Sequence, residues 1–562
     1  MGPLLGSDRT LKCNHTPGAI AASGVRFAKP CEGHPSFLVS GLAPMLNEAE
    51  FGPNLIRNWI DRAVERDPDK TYIVFVDDRR TISYGQLQRL TRQIATFLAE
   101  RGIRTNDRVA LLAGNSIEHL VCYIGVMAYG ATICTIHVEM IRGHLAQILS
   151  TLNPRIALFD AELGLDDILA KTSALCLSLG SFNNDADDGF YKSVTECEPT
   201  GVNLTSTRPR DDACILFTSG TSARPKGAVL TFRELLSNVE PTADGLGLTI
   251  DDRIYDFRSF NWCSAQVLSA LAPLSRGATL IMGRKFTRSR FFQHIAEHGA
   301  TITAGNPTTI NMLLNSNDPL NVEALSSLRF VISSSAPLLN EDWRRFEQHF
   351  GIPIAQSYGC SEIGWIATNP GTDRHIGTVG KPASYHKLAI VNDRGQPLPL
   401  GEIGHVEVGG FSDNDYRYLT DDGRIKVQSR GRFRTGDIGF LDPDGYLHIT
   451  GREKDLIIRG GINISPLEID SILMQRPEII EVATVGVPDR TYGEEVVSFV
   501  VARPGANIDV DDLLRYCGTF LPASKAPKQI VLSNHLPKTA RGKLDRRALA
   551  EQWTNSRREW SA

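Results

Sequence analysis

The segment ILFTSGTSARPKGAVL, from Ile215 to Leu230, sets hydroxyls, glycines and one lysine between two apolar runs. Glycines let backbone N–H groups face an anion, hydroxyls add donors, and Lys226 adds a positive charge, a combination suited to a polyphosphate. The spacing is not GxxxxGK[ST], because Gly227 follows the lysine and the hydroxyl that would hold magnesium in nucleotide hydrolases is missing. Taken alone, such a composition also describes an ordinary surface loop.

Further along, QSYGCSEIG brings Tyr358, Ser361 and Glu362 together, RTGD carries Asp437, GREKD carries Arg452 and Lys454, and ARGKLDRR carries Lys543. In this order the motifs resemble those of the adenylate-forming superfamily of acyl-CoA synthetases, peptide-synthetase adenylation domains and luciferases. TSGTSARPKG looks like its signature loop. QSYGCSEIG is similar to its YGxTE segment, with Ser361 in place of threonine. PKTARGKLDRRAL resembles the segment bearing its catalytic lysine. The likeness runs over about residues 51 to 555, and its overall texture is nearest to carnitine- and crotonobetaine-type CoA ligases.

The resemblance implies two half-reactions. A carboxylate attacks the α-phosphorus of ATP and pyrophosphate leaves; a thiol, that of coenzyme A, then attacks the acyl-AMP and AMP leaves. It further implies that Thr218, Ser219, Gly220, Thr221 and Lys226 hold the β- and γ-phosphates, that Glu362 binds Mg2+, and that Ser361 meets the α-phosphate. Asp437 would accept from both ribose hydroxyls, since one carboxylate has two suitable oxygens. Arg452 would add a ribose or phosphate contact, and adenine would lie against Tyr358 near Ser333 to Pro337. Lys543 would reach the acyl carboxylate and α-phosphate during adenylation. Rotation about Lys454 would then withdraw it and present Arg459, Gly460, Gly461 and Ile462 to the pantetheine arm. Cys360, inside the motif, is expected to be a small packing residue and no catalyst.

The acid pocket is expected around Phe260, Asn306 and Trp365. In FRSFNWCSAQ, Asn261 stands where many relatives in the superfamily have histidine. Trp262 and Trp365 would shorten the cavity, and Arg258 would pair with a second anionic group, because a buried charge needs a partner. These residues point to a short polar or anionic acid such as a carnitine-like, sulfonated or dicarboxylic one. The other readings are a medium- or long-chain fatty acyl-CoA ligase, a stand-alone enzyme loading a carrier protein, an oxygenating luciferase, and a silent acyl or nucleotide sensor. Against the sensor, Lys226, Glu362, Asp437, Arg452 and Lys543 are all present. Against the luciferase, the chain ends in WSA and lacks a peroxisomal SKL signal.

To position these residues, the chain alternates helical patterns with short apolar runs such as TYIVFVDD, RVALLAG, RIALFD, ATLIMG and RFVISS. That rhythm predicts an α/β fold with substantially parallel layers. The expected organisation is a loose extension over 1–50 and a large domain of layered α/β sheets with a barrel-like β subdomain over 51–452. A small mobile α+β domain over 453–562 completes it. Leu120 to Ile136, uncharged throughout, reads as a buried helix followed by a buried strand. Length alone, 562 residues, requires more than one core.

With 42% hydrophobic and 22% charged residues and a net charge of −4, the composition offers no footprint for nucleic acid or an anionic membrane. Ten cysteines with no CxxC pair fit reduced thiols in cytoplasm. The first fifty residues lack a secretory-signal pattern, and Met45 is a candidate alternative start. A homodimer is compatible with all of this.

Overall fold

The computed structural model describes residues 51–182, 189–200, 207–218, 225–315, 325–369, 374–409, 415–538 and 544–559. The expected extension, phosphate-loop residues Ser219, Gly220 and Thr221, and Lys543 lie outside these residues, as does the side chain of Thr218.

Two large sheets form the body. In the nine-stranded sheet, Thr71–Phe75, Thr279–Met282, Arg253–Asp256, Ile302–Gly305, Phe330–Ser333 and Ile354–Cys360 run parallel in that spatial order. In the eight-stranded sheet the parallel set is Asp212–Thr218, Thr132–Thr135, Arg108–Leu112, Ile156–Phe159 and Leu175–Ser178. These strands are short and apolar because helices cover both faces. One apolar cluster joins Ile73 and Phe75 of the first sheet to Val109 and Leu111 of the second. The helix Ile117–Tyr129 lies within that cluster, buried on every face, and Gly130 ends it in the left-handed conformation at φ 103° before the strand Thr132–Thr135 begins. No helix of the described residues is long and apolar enough to cross a membrane.

A four-stranded antiparallel sheet, Lys387–Val391, Gly404–Gly409, Arg432–Leu441 and Leu447–Arg452, makes up the barrel-like part. Its core includes Ile366, Ala367 and Tyr416 from the two large sheets. Beyond it, Ile457–Arg459, Ile462–Ile464, Ile479–Asp489, Gly493–Ala502 and Gln529–Leu532 form a further sheet with the helices Pro466–Leu473, Val510–Phe520 and Arg546–Glu559. This α+β unit has apolar clusters of its own. Its links to the body include a hydrogen bond from Ser465 Oγ to the Thr450 carbonyl, one of 3.1 Å from Arg503 to Asn315 Oδ1, and Leu339 against its core.

Candidate active site

The strands Asp212–Thr218 and Lys226–Thr231 form an antiparallel hairpin with Thr218 opposite Lys226. The phosphate-loop sequence therefore connects two strands of a hairpin, with Lys226 at the start of the second strand. Gly227 is held tightly, since a Cβ would come within 3.2 Å of Ile215, Phe217 and Leu419.

Ser361 and Glu362 occupy the turn between Ile354–Cys360 and Gly364–Thr368. Two glycines make that turn. A Cβ on Gly359 would lie 2.2 Å from the Gly364 carbonyl oxygen, and Gly364 itself has φ 87° with the Asn238 side chain 2.5 Å from where its Cβ would be. Asn238 braces the turn: its Oδ1 accepts from Trp365 N at 3.0 Å, and its amide donates to the carbonyls of Ile363 and Trp365 at 3.3 and 3.2 Å. Glu362 Oε1 accepts a 3.0 Å hydrogen bond from Tyr418 Oη. Burial, then the charges of Glu362 and Asp437, push the Cys360 thiol far up. A hard carboxylate on a half-buried turn beside the strand that follows the phosphate loop suits Mg2+, which takes one or two protein carboxylates and completes its shell with phosphate and water.

Asp437 and Arg452 face each other across two antiparallel strands. Asp437 is 4% exposed; its Oδ1 pairs with Arg452 Nε at 2.9 Å and its Oδ2 accepts from Tyr358 Oη at 2.5 Å. Burial and the Asp437 charge push the Tyr358 phenol well above its usual range, so it stays a donor. A carboxylate offers about four lone-pair sites, and these two bonds leave about two for a ribose diol.

At the end of Phe330–Ser333, Ser333 lies opposite Gln356 on the parallel neighbour. Ser333 Oγ and Gln356 Oε1 are both buried without a hydrogen-bond partner. Ser335, two residues on, holds φ at 74°, a left-handed conformation costly for a residue with a Cβ.

The structure corrects the expectation for Arg258. Its guanidinium is buried and pairs bidentately with Asp256, from Nε at 3.0 Å to Oδ1 and from Nη2 at 2.8 Å to Oδ2, while Nη1 donates to Ser334 Oγ at 3.1 Å. Its charge is matched within the fold, so Arg258 fixes the segment rather than receiving an anion. Asn306 caps Pro307–Leu314, its Oδ1 accepting a 2.9 Å bond from Thr309 N. Phe260 is core. Asn261 donates to the Ala113 carbonyl at 3.0 Å but leaves Oδ1 buried and unpartnered, as are Gln266 Oε1 and Trp365 Nε1. Trp262 stacks on His137 with ring centroids 5.4 Å apart. The helical turn Cys263–Ala265 brings this segment against the strands bearing Tyr358 and Trp365.

Lys454 lies exposed in the single turn Glu453–Asp455 that leads from Arg452 into the C-terminal sheet. Gly460 and Gly461, at φ 58° and 83°, form the two-residue connection between Arg459 and Ile462, where two positive φ values favour glycine. Arg459 itself pairs with Glu495 at 2.6 Å, donates to the Ser524 carbonyl at 3.0 Å and lies over the Tyr492 ring.

Sequence reasoning missed Asp256, Asn238, Gln266, Gln356 and Tyr418. One other group of metal-type donors occurs among the described residues, His294, Glu297 and His298 on the helix Phe291–His298. Its two imidazoles are nitrogen donors ill suited to Mg2+.

Comparison with known proteins places this geometry. Residues 60–412 match the family model described as AMP-binding enzyme, and 468–543 match the AMP-binding enzyme C-terminal domain. The chain is 32% identical to the sulfoacetate–CoA ligase of Cupriavidus necator over 85% of this chain and 94% of that protein. It is 29% identical to the oxalate–CoA ligase of Arabidopsis thaliana over 88% and 98% of the two chains. The crystal structure of ATP-bound MatB from Rhodopseudomonas palustris superposes with a TM-score of 0.80 at 30% identity, covering 88% of this chain and 99% of that one.

Proposed function

The chain belongs to the AMP-binding enzyme family, and from that premise we propose that it activates a short, polar carboxylic acid as its acyl-AMP and transfers the acyl group to coenzyme A. The observation that carries the reading is Asp437, a buried carboxylate held by Tyr358 and Arg452 with acceptor capacity left for two ribose hydroxyls.

In this reading the hairpin around Thr218, Ser219, Gly220, Thr221 and Lys226 binds the β- and γ-phosphates. Adenine lies against Tyr358 and offers its polar edge to Ser333 and Gln356, whose buried oxygens lack partners. Glu362 holds Mg2+, which offsets phosphate charge, and Ser361 meets the α-phosphate. The acid's carboxylate oxygen bonds to the α-phosphorus as the bond to pyrophosphate breaks, with Lys543 offsetting charge on the oxygens. Residues 51–452 form the body and 453–562 the mobile domain. Its own apolar clusters and, among the described residues, the few polar links to the body support rotation at Lys454. Once Lys543 has withdrawn, the thiolate sulfur of CoA, passing Gly460 and Gly461, attacks the carbonyl and AMP departs.

The unpartnered Asn261 Oδ1, Gln266 Oε1 and Trp365 Nε1 support a polar acid. An orphaned buried group costs about 1–3 kcal/mol; for the Trp365 N–H, an acceptor near the substrate's far end relieves that cost and a long alkyl chain does not, while the two amide oxygens accept only from a donor such as water or a substrate hydroxyl. Sulfoacetate and oxalate, named in two relatives, are small acids with a second anionic group; we place the substrate in that class, with the indole N–H of Trp365 as a donor to the distal group. CoA as acceptor is favoured over a carrier protein by the CoA ligase names of both relatives. A panel of acids assayed for CoA-dependent AMP release tests this. Short dianionic acids should lead, and preference for palmitate over every short acid would overturn the substrate assignment.

A further inference from the structure

Glu362 stands on the half-buried turn between Ile354–Cys360 and Gly364–Thr368, beside the Cys360 thiol. A single hydroxyl among the described residues reaches it, that of Tyr418, at 3.0 Å from Oε1. Tyr418 belongs to Asp415–Leu419, the antiparallel neighbour of Lys226–Thr231, with Tyr418 opposite Ala228 and Leu419 opposite Gly227. The phenol thus crosses from the eight-stranded sheet, beside the phosphate hairpin, to the tip of a hairpin in the nine-stranded sheet. Its own strand is firmly held: Arg417 pairs with Asp212 at 2.7 Å, and Tyr416 and Leu419 are buried in apolar clusters. The hydroxyl therefore has little freedom to follow a wandering carboxylate, and the carboxylate must come to it.

We propose that Tyr418 is a positioning residue for metal binding: its hydroxyl fixes one oxygen of Glu362, so that the carboxylate presents its remaining lone pairs to the magnesium ion on ATP at a set distance from the phosphate hairpin. The inference rests on the reading of Glu362 as the magnesium ligand. Groups that orient a ligating carboxylate typically change metal affinity about 10- to 100-fold when removed.

The test uses the full chain and Tyr418→Phe, which keeps the ring and its packing. Binding of Mn2+ is followed by electron paramagnetic resonance in the complex with α,β-methylene-ATP, alongside acid-dependent pyrophosphate exchange titrated with Mg2+. The expected result is a Mn2+ dissociation constant raised about tenfold or more, with a matching rise in the Mg2+ half-saturation of exchange. Thermal stability and thioester formation from supplied acyl-AMP, a step without pyrophosphate chemistry, should stay near wild type. Unchanged Mn2+ affinity, or an equal fall in both half-reactions, overturns the proposal. Glu362→Gln separates the two layers. If it weakens Mn2+ while Tyr418→Phe does not, only the positioning role falls; if it too leaves Mn2+ binding intact, the assignment of Glu362 falls with it.

Discussion

Replacing Asp437 with alanine should erase the enzyme's ability to tell ATP from 2′-deoxyATP. The carboxylate is 4% exposed, and its bonds to Tyr358 and Arg452 use about half of its acceptor capacity. A hydroxyl bonded to an ionised carboxylate is worth about 1.5–3 kcal/mol, and each 1.4 kcal/mol is about tenfold. Loss of the 2′-hydroxyl should therefore lower kcat/KM of the wild-type enzyme about 10- to 150-fold in acid-dependent pyrophosphate exchange. In Asp437→Ala, activity with ATP falls for several reasons at once, because Arg452 and Tyr358 also lose their partner. The ratio between the two nucleotides isolates the ribose contact from those losses, and it should shrink to within about twofold. A variant that retains the full 2′-deoxy penalty would refute direct ribose binding by Asp437 and leave it a structural bridge between two strands.

Arg258→Met should destabilise the fold by about 3–5 kcal/mol, since it strands the buried Asp256 carboxylate. Adding Asp256→Asn should recover much of that in denaturant unfolding, and a double variant as unstable as the sum of the two would contradict the buried-pair account. His386 and His119 are buried with their pKa pushed down, chiefly by desolvation, to about 3 and about 4. Both stay neutral in the fold while the unfolded chain takes up protons below about 6.5. Stability is thus fully present above that value and is lost as pH falls, by about 2 kcal/mol per histidine at pH 5. Unfolding temperatures compared at pH 7.5 and pH 5 check this, and His119→Asn should flatten the dependence. Lys543→Ala should lower adenylation at least about 100-fold while sparing thioester formation from supplied acyl-AMP, and equal loss of both half-reactions would contradict the division of labour between the two domains.

The parallel strands were legible because short runs such as RVALL and TLIM are covered on both faces and need no polar alternation. The helix and strand within Leu120 to Ile136 were legible too, since glycines interrupt the run and its second half carries strand-like β-branched residues. What the sequence hid was pairing across distance. Tyr418 meets Glu362 from 56 residues away, and Arg459 meets Glu495 from 36, so neither partner stands near the motif it serves. Arg258 was misread for the opposite reason: Asp256 is two residues back, but only the fold shows that both side chains are buried together. The capping role of Asn306 was legible, because asparagine before proline and two threonines is a helix-start pattern. The glycines of the Glu362 turn are legible in sequence only as part of the motif; their physical reason, a carbonyl and an asparagine where Cβ atoms would go, needed the structure.

Exchange of labelled pyrophosphate into ATP, measured with Mg2+ and a library of short acids in the absence of CoA, tests the central claim most directly. The account predicts exchange that depends on a short polar acid and release of free AMP only once CoA is added. Absence of exchange with every acid supplied, from a folded protein that binds ATP, would contradict it.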